Sequence, residues 1–341
     1  MSREAARRLR VGVLGVGRIG SMHAELLAHR ISGATLAGVF DVDGERAARA
    51  GSMFGVPSFR DAREMLHSAS LDAVAICTST DTHVDLIVAA AESCKPMLCE
   101  KPLSLELAEI DRALAAVERA GVPLQVGFNR RFDPAHQAVR DAVAAGEIGE
   151  AHLVRISSRD PEPPPLEYVQ RSGGIYLDMT IHDFDMARYV TGSEVVDVHA
   201  RGAVRIDPAI GEAGDVDTAA VSLVHENGVL TLIDNSRRAV YGFDQRVEVF
   251  GSAGVVASEN PLAHTTVRRT AEGAHAAALP HFFLERYTPS YVRAWEAFVE
   301  TVHSGRPAPV DGRDGRTALA IALAAQRSLD ERRTVRVAEI G

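Results

Sequence analysis

The chain has 341 residues, a formal net charge of −9, and ordinary fractions of hydrophobic (46%) and charged (24%) residues. This length is sufficient for two domains with separate cores, and the negative charge argues against a nucleic-acid-binding protein. The apolar run Val11 to Val16 is too short, and too interrupted by glycine, for a membrane span or a signal peptide. The three cysteines, Cys77, Cys94 and Cys99, have neither metal-ligand spacing nor a disulfide pattern. We therefore expect a cytoplasmic protein.

The first predicted strand, Leu9 to Leu14, leads directly into a glycine-rich turn and then into a helix that continues to about His29. The turn reads Gly15-Val16-Gly17-Arg18-Ile19-Gly20. In a strand–turn–helix unit, the first glycine permits the tight turn and the second lets the backbone approach a pyrophosphate. The third allows the helix to pack closely on the strand, and the helix N-terminus offers its free N–H groups to the phosphates. This turn, with Arg18 and Ile19, is predicted to bind a dinucleotide.

The second predicted strand, Thr35 to Phe40, ends in Asp41, about twenty residues after the glycine-rich turn. A carboxylate at this place hydrogen-bonds the ribose 2′-hydroxyl of NAD and repels the 2′-phosphate of NADP, so the spacing favours NAD. Asp43 is predicted to be a turn residue. Arg46 is the residue that could tolerate a 2′-phosphate.

The alternation of strands and helices continues to about residue 126. Predicted helices cover Ala47 to Phe54, Ala62 to Ser68, His83 to Ser93 and Leu105 to Ala120. Predicted strands cover Leu71 to Cys77, Pro96 to Cys99 and Val122 to Val126. This order predicts an open α/β domain of the Rossmann type over residues 1–125.

Two loops of this domain lie at the carboxyl ends of predicted strands, where open α/β sheets bind their ligands. The first begins with Thr78 and Ser79 and leads to His83. His83 is interpreted either as a neighbour of the cofactor or as a surface residue in the first turn of a helix. The second loop is Glu100-Lys101-Pro102. Lys101, beside a φ-restricted proline, is either a fixed cationic donor in the same crevice or a solvated loop lysine.

Residues 126–341 are predicted to form a second domain. Predicted strands cover Ala151 to Ser157, Val195 to Val204, Thr218 to His225, Val229 to Asn235, Arg246 to Phe250 and Gly254 to Ser258. Predicted helices cover Pro134 to Ala145, Tyr291 to His303 and Gly315 to Leu329. Short turns such as Asn227-Gly228 favour a mostly antiparallel sheet. The run Pro161 to Pro165 is a stiff connection that either frames a substrate pocket or is an ordinary loop.

The stretch Gly173 to Asp185 carries the clearest chemistry in this domain. It predicts a turn followed by a helix on which Asp178 and His182, four residues apart, lie on one face. A carboxylate beside an imidazole suits a general base near neutral pH. The plain structural alternative is a helix cap and a buried histidine. A third interpretation, hydrolysis at a metal held by Asp178, His182 and Asp185, would leave the dinucleotide motif unexplained.

Together these motifs resemble the Gfo/Idh/MocA oxidoreductase family over nearly the whole chain. The resemblance is carried by the glycine-rich turn, Glu100-Lys101-Pro102, Gly127 to Asp133, Gly173 to Arg188, and Tyr241 to Asp244. The Glu-Lys-Pro triplet is specific to the family. The run Asp178 to Asp185 is most similar to the bacterial inositol 2-dehydrogenase branch.

The resemblance implies an N-terminal Rossmann domain and a C-terminal α+β domain with a mostly antiparallel open sheet. It implies NAD as cofactor, oxidation of a cyclic polyol (myo-inositol to the 2-keto-inositol), and a homotetramer. The charge, the lack of a long apolar segment and the lack of a second histidine cluster argue separately against nucleic-acid, membrane and metal partners. The alternatives are a dehydrogenase of another inositol isomer or of an aldose, and a non-catalytic NAD-sensing regulator. The regulator would be expected to lack the catalytic residues.

The resemblance also implies roles for individual residues. The catalytic set would be Lys101, Asp178 and His182. The cofactor site would comprise Gly15, Gly17, Arg18, Ile19, Gly20, Asp41, Thr78, Ser79, His83 and Glu100. The substrate would meet Asn129, Arg130 and Tyr241, although inositol enzymes often carry another residue where this chain has Asn129.

Overall fold

The computed structural model describes residues 7–341, and the chain forms two compact units. Of the described residues, the first unit combines 7–128 with 291–316, and the second combines 129–290 with 317–341. The boundary predicted near residue 125 divides the chain at one place. In the structure the two units are not consecutive in sequence, because the segment 291–316 belongs to the first unit.

The first unit contains a six-stranded sheet whose strands are all parallel. Its strands are β1 (Leu9–Leu14), β2 (Ala34–Phe40), β3 (Ser58–Phe59), β4 (Ala73–Ile76), β5 (Met97–Cys99) and β6 (Leu124–Val126). The order is β3-β2-β1-β4-β5-β6. The direction of winding therefore reverses between β1 and β4, which is where doubly wound sheets bind nucleotides. The predicted Rossmann fold is confirmed.

The helices of this unit follow the strands in the predicted alternation. They are α1 (Arg18–His29), α2 (Gly44–Phe54), α3 (Ala62–His67), α4 (Thr80–Glu92) and α5 (Leu107–Ala120). Asp43, predicted as a turn residue, caps α2 by accepting hydrogen bonds from the Glu45 and Arg46 N–H groups. Strand β3 has only two residues, too few to show a periodic pattern, and the sequence does not reveal it.

The second unit contains a seven-stranded sheet and a small hairpin. Its strands are β7 (Ala151–Arg159), β8 (Val195–Ala203), β9 (Thr218–His225), β10 (Leu230–Ser236), β11 (Asp244–Gly251), β12 (Gly254–Ser258), β13 (Arg268–Thr270), β14 (Gly273–His275) and β15 (Val335–Arg336). The large sheet has the order β12-β11-β7-β10-β9-β8-β15. Its neighbours are antiparallel except β7 with β10. The mostly antiparallel sheet is confirmed.

Helices α6 (Pro134–Ala144), α7 (Leu166–Val169), α8 (Ile181–Thr191) and α9 (Pro208–Glu212) belong to the second unit. The long helices α10 (Phe283–Ser304) and α11 (Gly312–Glu331) each have residues in both units. A π-helical turn, Tyr176–Thr180, precedes α8. Among residues 7–341, no helix is long and apolar enough to cross a membrane.

A group of buried polar residues surrounds the first turn of α6 in the second unit. Asp133 caps α6 and forms an ion pair with Arg286 at 2.5 Å. His136 is buried, and its Nδ1 lies 3.0 Å from the Ser258 hydroxyl. Burial lowers the pKa of His136 to about 4, because a charged imidazole is poorly solvated there.

This histidine predicts that acid destabilises the protein. Between pH of about 6.5, the unfolded pKa, and about 4, the unfolded chain binds a proton on residue 136 that the folded chain does not. Stability is therefore lost as the pH falls, by about 2 kcal/mol at pH 5 relative to pH 7. In His136→Asn, the free energy of unfolding measured with urea should lose this part of its pH dependence. The exposed His281→Asn should behave as wild type, and an unaltered pH dependence in His136→Asn would contradict the assignment.

Candidate active site

The glycine-rich turn connects β1 to α1 by a very close approach of backbone to backbone. Gly15 has a φ of +84°, in the left-handed region that favours glycine. A Cβ atom at Gly15 would lie 2.8 Å from the Cys77 carbonyl carbon, and one at Gly20 would lie 1.8 Å from the Gly15 carbonyl oxygen. The first and third glycines therefore permit the turn and the contact between helix and strand, as the pattern predicts.

The amino end of α1 fits the pyrophosphate of a dinucleotide. Gly17 is the N-cap residue and provides no side-chain cap, and the first turn holds no acidic residue. A Cβ at Gly17 would meet nothing within 4 Å. Arg18 and Ile19 are the first two residues of the helix. Unsatisfied N–H groups at a helix N-terminus attract anions, and the missing side chain leaves room for one.

Asp41 follows β2 and is buried. Its Oδ2 accepts a hydrogen bond from the Val16 N–H at 2.8 Å, and its Oδ1 accepts one from the Asp43 N–H at 2.9 Å. Arg46 lies 3.4 Å from the same carboxylate. Each oxygen retains acceptor capacity for a ribose hydroxyl. Asp41 thus also fixes the glycine-rich turn, a role that the spacing alone does not reveal.

The loop after β4 is fixed through His83. Thr78 accepts a hydrogen bond from the Thr82 hydroxyl at 2.7 Å, and Ser79 stands at the N-cap of α4 without a side-chain cap bond. His83 is 1% exposed, and its Nδ1 and Nε2 lie 2.8 Å from the Pro102 carbonyl and 3.1 Å from the Thr78 carbonyl. It is therefore not a surface residue, which was one of the two interpretations.

Glu100 and Lys101 follow β5 at the same edge of the sheet. The Glu100 carboxylate is buried, and its Oε1 lies 2.8 Å from Nε2 of His23. Lys101 is half-buried, and its peptide bond to Pro102 is cis. The sequence gives little signal for His23, which is marked only by its place three residues after Gly20.

Asp178 lies in the π-helical turn Tyr176–Thr180, and His182 lies in α8, which begins at Ile181. The predicted helix therefore carries both residues, but its part around Asp178 is a wider π-helical turn rather than a regular α-helix. The Thr180 hydroxyl lies 3.2 Å from the Ile175 carbonyl, five residues earlier, and 2.7 Å from Oδ1 of Asn235. These contacts accompany the wider turn, a feature that is frequent at functional sites.

The Asp178 carboxylate has partners from two other segments. The Tyr168 hydroxyl donates to its Oδ1 at 2.8 Å, and Nη1 of Arg237 lies 3.5 Å from its Oδ2. Arg237 is 1% exposed and lies 3.2 Å from Asp215. Oδ1 of Asp215 accepts a hydrogen bond from the Ile175 N–H at 3.0 Å. The buried Arg237 guanidinium thus connects Asp178 to Asp215, which in turn binds the backbone just before the π-helical turn.

Asn129 and Arg130, predicted substrate residues, make hydrogen bonds inside the second unit. The Asn129 amide donates to the Ser290 hydroxyl at 3.2 Å. Nη1 of Arg130 donates to Oδ1 of Asp183 at 2.7 Å and to the Ser158 hydroxyl at 2.9 Å. Burial opposes the charge of Arg130, but its neighbours, Asp183 among them, outweigh this effect and raise its pKa.

Tyr241 and Asp185 have different surroundings. Tyr241 is 51% exposed, donates to Oδ2 of Asp244 at 2.8 Å and accepts a hydrogen bond from Arg159 at 2.8 Å. Asp185, the third ligand of the metal interpretation, accepts two hydrogen bonds from Arg131, at 2.9 and 2.6 Å. Across residues 7–341, no group of three His, Cys, Asp or Glu side chains could hold a metal ion.

Comparison with known proteins gives the same family as the motifs. A family model described as an oxidoreductase family with an NAD-binding Rossmann fold matches residues 9–128, and a GFO/IDH/MocA C-terminal domain matches residues 136–257. The chain is 48% identical over 333 residues to a myo-inositol 2-dehydrogenase of Thermotoga maritima, covering 97% of this chain and 99% of that protein. It is 45% identical over 330 residues to an inositol 2-dehydrogenase of Rhizobium meliloti, with coverage of 97% and 99%.

A solved structure agrees with this similarity. A scyllo-inositol dehydrogenase from Lactobacillus casei with bound NAD(H) and scyllo-inositol is 28% identical and has a TM-score of 0.92, covering 97% of this chain and 100% of that one. The family model over residues 9–128 describes an NAD-binding Rossmann fold, which is the fold that the glycine-rich turn predicts. The chain belongs to the Gfo/Idh/MocA family of NAD-dependent oxidoreductases.

Proposed function

We propose that this protein oxidises a ring hydroxyl of a cyclic polyol with NAD, and that the reaction is conversion of myo-inositol to the 2-keto-inositol. The observation that carries the proposal is similarity over almost the full length to two proteins named for inositol oxidation. The candidate catalytic residues Lys101, Asp178 and His182 are all present. A non-catalytic regulator would not need them.

Oxidation of a secondary alcohol to a ketone removes a proton from oxygen and a hydride from carbon. NAD, when bound, accepts the hydride. His182 takes the proton from the hydroxyl as the general base. Asp178 orients the imidazole and stabilises its charged form, and Lys101 donates to the same substrate oxygen as negative charge develops there. The contacts of Asp178 with Tyr168 and Arg237 support a fixed position for this carboxylate.

The glycine-rich turn, Asp41 and the loops after β4 and β5 would hold the cofactor, with Thr78, Ser79, His83 and Glu100 at its edge. Asn129, Arg130 and Tyr241 are proposed to line the substrate pocket. Asn129 and Arg130 are 3% and 8% exposed, so they are better suited to shape the pocket wall than to extend into the pocket. These residues would decide between inositol isomers.

A scyllo-inositol substrate is the nearest competing proposal, since the Lactobacillus casei structure contains that isomer. The two are separated by following reduced nicotinamide with purified protein, NAD or NADP, and myo-inositol, scyllo-inositol, chiro-inositol or glucose. The proposal expects the highest kcat/KM with NAD and myo-inositol. A preference for another polyol would change the substrate, and NAD binding without reduction by any of them would favour the regulator.

The second unit also supports a proposed homotetramer. Apolar residues, all exposed except the half-buried Leu153, are aligned across five neighbouring strands. Leu230 pairs with Val224 and Leu153, Phe250 pairs with Leu153, and Val255 pairs with Phe250. Paired residues project from the same face of a sheet, so these side chains form one apolar row. Such a row favours contact with a second copy of the chain.

Substitution of the proposed catalytic residues should separate chemistry from cofactor binding. We expect His182→Ala and Lys101→Met each to lower kcat by about 100-fold or more. NAD affinity, measured by calorimetry, should change little in His182→Ala, because residue 182 belongs to the substrate domain. The exposed Met53→Glu serves as a control with wild-type kcat. Near-normal turnover in His182→Ala would refute its role as the base.

Gly17→Ala tests the assignment of the pyrophosphate site. The backbone of Gly17, with φ of −68°, accepts alanine, and its Cβ would touch no protein atom within 4 Å. The melting temperature should therefore be unchanged. NAD affinity should fall at least about tenfold, because the methyl group occupies space beside the N–H groups of the first helical turn. Gly254→Ala, with only one contact at 3.9 Å, should bind NAD normally. Unchanged affinity in Gly17→Ala would place the phosphates elsewhere.

Leu230→Glu tests the assembly surface. Leu230 is 47% exposed, so glutamate fits the isolated chain but would be buried at a contact with a second copy, where an unpaired charge is costly. The expected result is a smaller mass by light scattering with unchanged circular dichroism, whereas Met53→Glu leaves the mass unchanged. A wild-type mass equal to one chain would contradict the tetramer outright.

A further inference from the structure

Three buried side chains of the first unit form a hydrogen-bonded chain that ends on Glu100. Trp295 donates its Nε1–H to Nδ1 of His23 at 2.9 Å. Nε2 of His23 lies 2.8 Å from Oε1 of Glu100. Because Nδ1 accepts a hydrogen bond, the ring proton lies on Nε2, which donates a hydrogen bond to the carboxylate. Trp295 thereby selects the tautomer that binds Glu100.

A second histidine holds the other side of the same segment. Nδ1 of His83 lies 2.8 Å from the Pro102 carbonyl, and its Nε2 lies 3.1 Å from the Thr78 carbonyl. Burial lowers the pKa of His83, so the ring is neutral near pH 7 and has one proton to donate. The Pro102 carbonyl is the nearer of the two acceptors, so we assign the hydrogen bond from Nδ1 to it.

The space around Glu100 is also restricted. A Cβ atom at Gly127 would lie 2.7 Å from Oε2 of Glu100, so the carboxylate rests directly on backbone. The rings of Tyr291 and Trp295 pack edge-on against His23, with centroids 5.6 and 5.8 Å away. His23 therefore has little freedom to leave Glu100.

We propose that His23 and His83 are positioning residues that hold the Glu100–Pro102 segment from both sides and so fix Lys101 at the carboxyl end of β5. Trp295 acts through His23 by setting its tautomer. The proposal rests on the proposed function, in which Lys101 donates to the reacting oxygen. A displacement of a catalytic group by about 1 Å can cost about 100-fold in rate, so loss of either hydrogen bond should be visible in kcat.

Two amide substitutions of His23 separate its two hydrogen bonds. In His23→Gln the amide reaches the former Nε2 position, so the bond to Glu100 survives and the acceptor for Trp295 is lost. In His23→Asn the amide reaches only the former Nδ1 position, so the acceptor for Trp295 survives and the bond to Glu100 is lost. We expect His23→Asn to lower kcat by about 10- to 100-fold with a nearly unchanged KM for NAD, and His23→Gln to stay within about threefold of wild type.

For His83, the asparagine variant should retain more activity than the glutamine variant, which is the opposite of the order expected for His23. His83→Asn keeps a donor near the former Nδ1, and therefore the bond to Pro102, whereas His83→Gln loses it. A smaller loss of kcat in His83→Asn than in His83→Gln is the expected result. Phe298→Leu is the matched packing control, because the Phe298 ring packs edge-on against the Trp295 ring without a polar bond. The centroids of the two rings are 5.5 Å apart. It should lower the melting temperature and leave kcat unchanged.

Two measurements do not depend on activity. Trp295 is the only tryptophan, so its emission should shift in His23→Gln but not in His23→Asn. Lys95 and Lys101 are the only lysines, so amine acylation followed by mass spectrometry compares them directly. Lys101 should react faster in His23→Asn, whereas Lys95, which donates to the Ser68 and Leu71 carbonyls, keeps its rate.

The outcomes are distinguishable from failure of the proposed function. Absence of polyol oxidation in the wild type would overturn the proposed function, while acylation of Lys101 would still test the positioning role. Equal loss of kcat in His23→Asn and His23→Gln, in proportion to melting temperature, would reduce His23 to a structural residue. An unchanged Lys101 acylation rate in His23→Asn would overturn the proposal.

Discussion

The contact between Gly20 of α1 and the Gly15 carbonyl is the constraint on which the first unit's chemistry depends. No other residue fits at position 20, since a Cβ would lie 1.8 Å from that oxygen. The contact fixes where α1 begins, and so the direction of the N–H groups in its first turn. It also fixes His23, three residues further along the helix, against Glu100. Dinucleotide binding and the placement of the segment that contains Lys101 therefore share one packing constraint.

In the second unit, buried polar contacts fix the backbone near the candidate site residues, whereas in the first unit close packing at glycine does so. Asp183 accepts hydrogen bonds from Arg130 and Asn235, and Asn235 in turn accepts one from Thr180 in the π-helical turn. Buried polar groups are costly unless they are paired, so this network favours one geometry for the turn that carries Asp178. Replacing one member leaves its partners buried and unsatisfied, which makes the turn sensitive to changes remote from it.

Much of the first unit could be predicted from the sequence because its signals are local. A buried parallel strand such as β4 (Ala73–Ile76) is a continuous apolar run, and each glycine of the turn has its own reason to lack a side chain. The partners of the candidate residues are not local. Arg237 reaches Asp178 from the end of a strand, and Trp295 reaches His23 from 272 residues away. No spacing rule connects such pairs. The π-helical turn was missed because its contact with Asn235 comes from β10.

The central proposal is that hydride leaves carbon 2 of myo-inositol, with His182 as the base and Lys101 as the donor to the substrate oxygen. The most direct test uses myo-inositol deuterated at carbon 2, mixed with NAD and the purified protein, followed by mass spectrometry of the nicotinamide. The expected result is reduced nicotinamide that carries the deuterium, together with a 2-keto product. Reduced nicotinamide without deuterium would mean oxidation at another carbon, and no reduction at all would contradict the claim.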